Sequence, residues 1–177
     1  MAGGTRGGGK KLMDALRIID LLELKPLPFE GGYYRETYRS EDIIETGHLP
    51  ERYGSEKHFS TVIYYLLTPE TVSKLHRLKS DEIFHFYLGD PVTMLLLYPN
   101  SRSETVILGP DIENGQQVQL VVPRGVWQGA FLDKGGRFAL MGTTVAPGFD
   151  ITDFEIAERE ALLKKYSEQA GLIHLLT

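Results

Sequence analysis

Ser73-Lys-Leu-His-Arg-Leu-Lys-Ser-Asp-Glu-Ile-Phe-His-Phe-Tyr-Leu-Gly89 is the stretch from which the rest of the chain can be read. It holds His76 and His85, two of the five histidines, and places the carboxylate of Glu82 six residues after the first. Two runs, Val72–Leu78 and Ile83–Leu88, have the composition of neighbouring strands. Strict alternation sends Val72, Lys74, His76 and Leu78 to one face of the first strand. On the returning strand it puts Glu82, Phe84 and Phe86 on one face and Ile83, His85 and Tyr87 on the other.

The segments on either side use the same vocabulary. Tyr33–Tyr38, Phe59–Leu67, Val92–Tyr98, Thr105–Leu108, Gln117–Val122, Val126–Leu132 and Arg137–Val145 are rich in β-branched and aromatic residues. Thr-Pro-Glu, Gly-Asp-Pro, Glu-Asn-Gly, Pro-Arg-Gly and Asp-Lys-Gly-Gly separate them as turns. Many short strands at this spacing predict an all-β antiparallel sandwich or barrel, and no helix-length segment interrupts them to make a parallel α/β sheet. Helices are expected only at the ends. Ala15, Leu16, Ile18, Ile19, Leu21 and Leu22 form a stripe over Met13–Leu24 that Pro26 and Pro28 terminate. Near the C-terminus, Thr152 with Glu155 fits a capping box opening a helix over Phe154–Tyr166. Residues 1–12 read as a disordered Gly-rich tail or a leader, and residues 13–177 as a single domain.

Bulk composition excludes several function classes. The net charge is 19 − 24 = −5 with no long basic run, so nucleic acid is not an expected partner. The absence of cysteine removes disulfides, zinc knuckles and thiol catalysis and suits a reducing compartment. Apolar runs such as Met94–Leu97 are far too short to span a bilayer. A cytoplasmic protein with no membrane partner is the expectation.

His76, Glu82 and Gly89 stand at the spacing of the first cupin motif, G-x5-H-x-H-x3,4-E-x6-G, with Leu78 where the second histidine would be and Glu70 in place of the leading glycine. Pro123 and Gly125 match the second motif, G-x5-P-x-G-x2-H-x3-N, in which Gln128 replaces the histidine and Leu132 the asparagine. Glu30-Gly-Gly-Tyr-Tyr-Arg-Glu-Thr-Tyr-Arg-Ser40, the Ser60–Leu67 strand, Ser80–Pro91, Val121–Pro123 with Trp127-Gln128, and Thr144–Asp150 resemble, in order, one branch of the cupin superfamily: the single-domain family catalogued as a domain of unknown function. The resemblance spans roughly Leu21 to Ala157. It implies a double-stranded β-helix (cupin jelly roll) with short N-terminal and C-terminal helices and a homodimer, and it implies no particular reaction.

Within that frame the candidate catalytic pair is His76 and Glu82, since a carboxylate beside an imidazole fixes its tautomer and raises its basicity. Ser60, Tyr64, Lys74, Phe84, Phe86, Trp127 and Gln128 are the candidate ligand-binding residues, and Leu78, Val126 and Leu132 complete an apolar lining. A metal would have to use His76, Glu82 and Gln128, one imidazole short of the usual two-histidine, one-carboxylate minimum. No cofactor is therefore expected beyond a weak divalent ion. His85 and Trp127 read as packing residues, and Arg77 as a surface cation paired with Asp81. The leading expectation is a cavity for a small polar or carbohydrate-like molecule, with metal-independent isomerisation or epimerisation by His76 as base. A metal-dependent oxygenase or isomerase, and a non-enzymatic ligand-binding or storage protein, are the alternatives.

Overall fold

The computed structural model describes residues 14–177; the expected Gly-rich tail of residues 1–12 lies outside the described residues. The β-rich runs form β1 (Lys25–Pro26), β2 (Tyr33–Arg39), β3 (Ile43–Ile44), β4 (Lys57–His58), β5 (Thr61–Leu67), β6 (Val72–Leu78) and β7 (Asp81–Gly89). They continue as β8 (Val92–Leu97), β9 (Ser103–Leu108), β10 (Gln119–Val122), β11 (Trp127–Leu132), β12 (Ala139–Ala146) and β13 (Phe154–Ile156). One sheet has the order β1-β2-β5-β12-β7-β10 and the other β13-β6-β11-β8-β9, with β3 and β4 paired apart. All the strand pairs are antiparallel. Two antiparallel sheets closed on a shared interior form the all-β jelly roll that the sequence predicts.

The interior is filled by inward residues of both sheets, among them Tyr65, Leu67, Phe84, Met94, Leu96 and Met141. Two further apolar clusters lie on the outer faces. The N-terminal helix α1 (Ala15–Leu22), capped by the Asp14 carboxylate accepting from Arg17 N–H, packs Ile18 against Leu66, Phe138 and Leu140. Its buried stripe is narrower than the sequence suggests: Leu16 and Leu21 are 73% and 57% exposed. On the other side α2 (Arg159–Lys165) and α3 (Ala170–Leu175) cover Leu75, Leu95 and Leu97 with Leu162, Tyr166 and Ile173. Among the described residues no helix is long and apolar enough to cross a membrane.

Two departures from the sequence expectation shape the site. In β6, His76 pairs with Gln128 but Ser73 pairs with Ala130, so β6 carries one residue more than β11 over that interval. The bulge falls at Lys74–Leu75. Ser73 and His76 both turn inward as a result, Leu75 turns out into the helix-covered cluster, and Lys74 is exposed. Gly129 lies opposite, where a Cβ would press on Leu75 and the Ser73 carbonyl at 3.0 and 3.1 Å. The second departure is at the C-terminal end. Phe154 does not open a helix; Phe154–Ile156 pairs with Leu78–His76, and helix begins only at Arg159. Glu155, the supposed capping-box partner, instead makes a two-point ion pair with Arg77, while Asp150 caps the preceding turn. A free sheet edge and a matching guanidinium outweigh local helical preference.

The turn Phe29–Gly32 reaches across β6, where the Lys74 amide donates to the Glu30 carbonyl at 2.9 Å. Gly31 has φ +104°, and a Cβ there would sit 2.3 Å from the Val72 carbonyl oxygen. We expect Gly31→Ala to destabilise the fold by about 2 kcal/mol or more, as strained positive-φ positions with a backbone clash do. Gly171→Ala, a helical site with open space around it, should be neutral or stabilising by about 0.5–1 kcal/mol. Urea unfolding of both variants checks the contrast; equal effects would contradict it.

Candidate functional site

The bulge in β6 brings His76 close to its own backbone. His76 Nδ1–H donates to the Lys74 carbonyl at 2.8 Å, so in the neutral ring Nε2 is the nitrogen that carries the lone pair. Nε2 lies 3.9 Å from Glu30 Oε2 and 4.0 Å from Glu82 Oε2. Gln128, directly across on β11, donates from its amide nitrogen to Glu82 Oε2 at 2.6 Å and approaches His76 Nε2 at 3.3 Å. Its own Oε1 is buried without a partner. Phe154 lies nearly parallel to the imidazole, ring centres 5.0 Å apart at 22°. Glu30 is held in turn: Ser73 Oγ donates to its Oε1 at 2.8 Å.

Glu30, His76, Glu82 and Phe154 form one wall of a cavity of about 220 Å³. Thr61, Ile63, Leu78, Thr143 and Val145 line its sides, and Tyr34, Arg39 and Phe149 stand at the mouth. Arg39 is fixed there by a two-point bond to Glu36 and a third to the Phe149 carbonyl. The Tyr65 hydroxyl, donating to the Gly31 carbonyl at 3.0 Å, ties the turn that carries Glu30 to the barrel.

The electrostatics are those of buried charge. His76 and Gln128 are 2% exposed and Glu82 7%. Burial pushes the Glu82 carboxyl above its ordinary value. The His76 ring pulls the other way, Glu30 adds to the rise, and hydrogen bonds from Thr143 and Gln128 oppose it. Burial also raises the Tyr65 hydroxyl well above its ordinary value, with Glu30 next in effect, so it remains a donor.

His76, Glu82 and Gln128, chosen from the sequence, do converge, and Leu78 lines the same cavity. The remaining candidates lie elsewhere. Phe84 and Phe86 pack into the barrel core, as do Val126 and Leu132, and fill it rather than line the cavity. Tyr64 faces outward against α1 and Tyr87, because the cavity face of β5 is Thr61, Ile63 and Tyr65, one residue out of phase with Ser60 and Tyr64. Ser60 is outside the cavity, with its carbonyl receiving the Ser40 amide. Lys74 is the exposed residue of the bulge. Trp127 faces the helix-covered cluster, stacked under Arg77 at 4.4 Å. Arg77 pairs with Glu155 and not with Asp81, whose carboxylate receives the Arg124 amide. His85 sits on the outer sheet face between Gln119 and Thr144. Glu30 and Phe154 were not identified as site residues. Glu30 was readable only as part of a Gly-Gly turn, and Phe154 was masked by a helical pattern.

A metal fits these donors poorly. Nε2 of His76 is a lone imidazole donor, Leu78 stands where a second imidazole would enter, and Gln128 turns N–H, not oxygen, toward Glu82. Glu30 adds a carboxylate, but one oxygen of it is committed to Ser73. Among the described residues no group of three or more His, Cys, Asp or Glu side chains is disposed to hold a metal ion.

The raised carboxyl of Glu82 gives a signed pH dependence. A group whose folded pKa exceeds its unfolded value stabilises fully below the unfolded value, and that stabilisation is lost as pH rises through the folded one. Stability of the parent protein relative to Glu82→Gln should therefore fall as pH climbs above the ordinary glutamate value of 4.5. Urea midpoints of both proteins measured from acid to neutral pH check this; parallel profiles would contradict it.

The family model described as Cupin superfamily (DUF985) matches residues 16–157. The uncharacterised protein YML079W of Saccharomyces cerevisiae is 35% identical over 145 residues, covering 76% of this chain and 71% of the yeast protein. Protein SO0799 of Shewanella oneidensis superposes with a TM-score of 0.83 at 34% identity, over 94% of this chain and 98% of its own. A hypothetical protein from Leishmania major does so with a TM-score of 0.83 at 33% identity, over 93% and 99%. Oxalate decarboxylase of Bacillus subtilis, at 15% identity and a TM-score of 0.52 over 88% of this chain and 38% of that one, shares the fold alone. With two sheets in jelly-roll order, half-matched motifs around His76 and Gln128, and a family match over most of its length, this chain belongs to the DUF985 family of the cupin superfamily.

Proposed function

We propose that the cavity binds a small polar, carbohydrate-like molecule and that His76 acts on it as a general base without a metal, in an isomerisation or epimerisation. The observation that carries this reading is the Nδ1–H bond of His76 to the Lys74 carbonyl, which leaves Nε2 as the basic nitrogen on the cavity wall between two carboxylates. In such a reaction Nε2 takes a proton from a carbon next to the ligand's carbonyl, and the electron pair moves onto that carbonyl oxygen. Returning the proton to the other face or the neighbouring carbon completes an epimerisation or isomerisation. Glu30 and Glu82 stabilise the imidazolium formed between the two proton transfers, and Gln128 holds Glu82 in position. An aromatic lid at the mouth, Tyr34 with Phe149, suits the apolar face of a sugar-like ring, and Thr61 and Thr143 offer hydroxyls to its polar edge.

A second reading has its own support. Gln128 already satisfies Glu82 and contacts His76, so the trio can stand as a closed buried network in a protein that only binds its ligand. A panel of aldoses, ketoses and sugar acids, screened by thermal shift and then incubated in D2O with the parent protein, His76→Ala and Glu82→Gln, separates the two. Base catalysis predicts solvent deuterium entering a bound ligand with the parent, and a loss of about 10²–10⁴-fold in His76→Ala. Binding without exchange supports the second reading. Equal thermal stabilisation of all three proteins by a ligand would contradict the site itself.

The homodimer that the resemblance implies is part of the same proposal. Among the described residues no strand pairs with the outer edge of β2 beyond Tyr34, and Tyr38 is exposed there. Sedimentation at micromolar protein should give a dimer; a clean monomer would remove that role.

A further inference from the structure

Behind the wall made by Leu78 and Phe154 lies a second, larger hollow of about 560 Å³ that opens to solvent. It is framed by the end of β6, the turn after β10 and the segment Thr152–Glu155, with Arg52 reaching in from the loop before β4. Four cations line it, Arg52, Arg77, Lys79 and Arg124, against two carboxylates, Asp153 and Glu155. The carboxylates are already engaged. Glu155 holds Arg77 by two hydrogen bonds at 2.8 and 2.9 Å. Asp153, 3% exposed at its side chain, lies 2.7 Å from the buried Lys57 ammonium, at an angle that meets the charge without a hydrogen bond, and 3.5 Å from Lys79.

Arg52 and Arg124 have no such partner: among the described residues, neither guanidinium has a carboxylate within 4.0 Å. Arg52 is nonetheless held in place, stacked 4.6 Å over the Tyr53 ring with Nε donating to the Lys79 carbonyl at 3.0 Å. The Arg124 backbone is anchored by its amide on Asp81 at 2.8 Å. Both are exposed at the rim of the hollow. A chain of net charge −5 thus gathers an uncompensated positive field in one concavity, where low-dielectric walls concentrate it.

We propose that this hollow is a second binding site, separate from the barrel cavity, that takes the phosphate group of a small phosphorylated molecule. Two fork-shaped guanidiniums with a lysine beside them match the several oxygens and double charge of a phosphate better than a single carboxylate, which one arginine satisfies. The concave shape and modest volume fit a small molecule. An extended polyanion or an anionic membrane would face the acidic remainder of the surface, which disfavours both. The site does not depend on the barrel reading, since no hydrogen bond or ion pair joins the side chains of its cations to His76, Glu30 or Glu82.

Calorimetric titration with inorganic phosphate and with pyrophosphate, beside acetate as the monocarboxylate control, tests the proposal. Saturable binding of the phosphates and none of acetate is expected. Arg52→Ala and Arg124→Ala, exposed substitutions whose thermal midpoints should stay near the parent's, should each weaken binding about tenfold or more, since a charged hydrogen-bond partner is lost. Glu155→Gln, which releases Arg77, should tighten it. His76→Ala should leave it unchanged, so that failure of the barrel chemistry and failure of this site are told apart. Absence of saturable phosphate binding by the parent protein, or binding that survives Arg52→Ala/Arg124→Ala unchanged, would overturn the assignment.

Discussion

One extra residue in β6 is the constraint from which the rest follows. The bulge at Lys74–Leu75 turns Ser73 and His76 to the same side, so that Ser73 can hold Glu30 while His76 faces the cavity. It also frees the Lys74 carbonyl to receive Nδ1–H, which sets the tautomer of the ring. On the opposite face it sends Leu75 outward, where its backbone bonds both to Leu176 and to Ala157, tying the C-terminal helices to the same strand. A regular strand would have placed Lys74, and not Ser73, on the face of His76. Bulges are well suited to this work because they re-aim a side chain without breaking the sheet.

The cavity wall concentrates an imidazole, two carboxylates and an amide where little water reaches. Burying such charges costs free energy unless each has a partner, and shared hydrogen bonds supply partners here. Gln128 is the economical element: one amide nitrogen steadies the Glu82 carboxylate and touches the imidazole. The orphaned Oε1 of the same side chain and the raised carboxyl of Glu82 are the residual cost. The neighbouring basic hollow uses the other side of Phe154 and obeys the opposite logic, with excess cations near solvent.

The fold was legible because its determinants are local and repeated. Strand after strand declares itself by composition and turn residues, and Gly89 is required where β7 meets β12, since a Cβ there would sit 2.3 Å from the Phe138 carbonyl. His76, Glu82 and Gln128 were legible for the same reason, each standing at a motif position on a strand of predictable direction. Lys74, Ser60 and Tyr64 fall outside the cavity because of strand phase. The bulge shifted Lys74 out of line with His76, and the cavity face of β5 is the Thr61 set and not the Tyr64 set. Phe154 and Glu30 reach the site only through tertiary pairing with β6, and no periodicity announces that. The basic hollow draws Arg52, Arg77, Lys79 and Arg124 from distant segments, so no charge run in the sequence marks it.

In the neutral ring, His76 presents the lone pair of Nε2 to the cavity because Nδ1–H is fixed on the Lys74 carbonyl. Nitrogen-15 NMR of the imidazole, at a pH where the ring carries a single proton, tests this directly. The account predicts the Nδ1–H tautomer, with a pyridine-type signal from Nε2 that moves when a cavity ligand binds. An Nε2–H tautomer would contradict it, because the nitrogen facing the cavity would then be a donor and not a base.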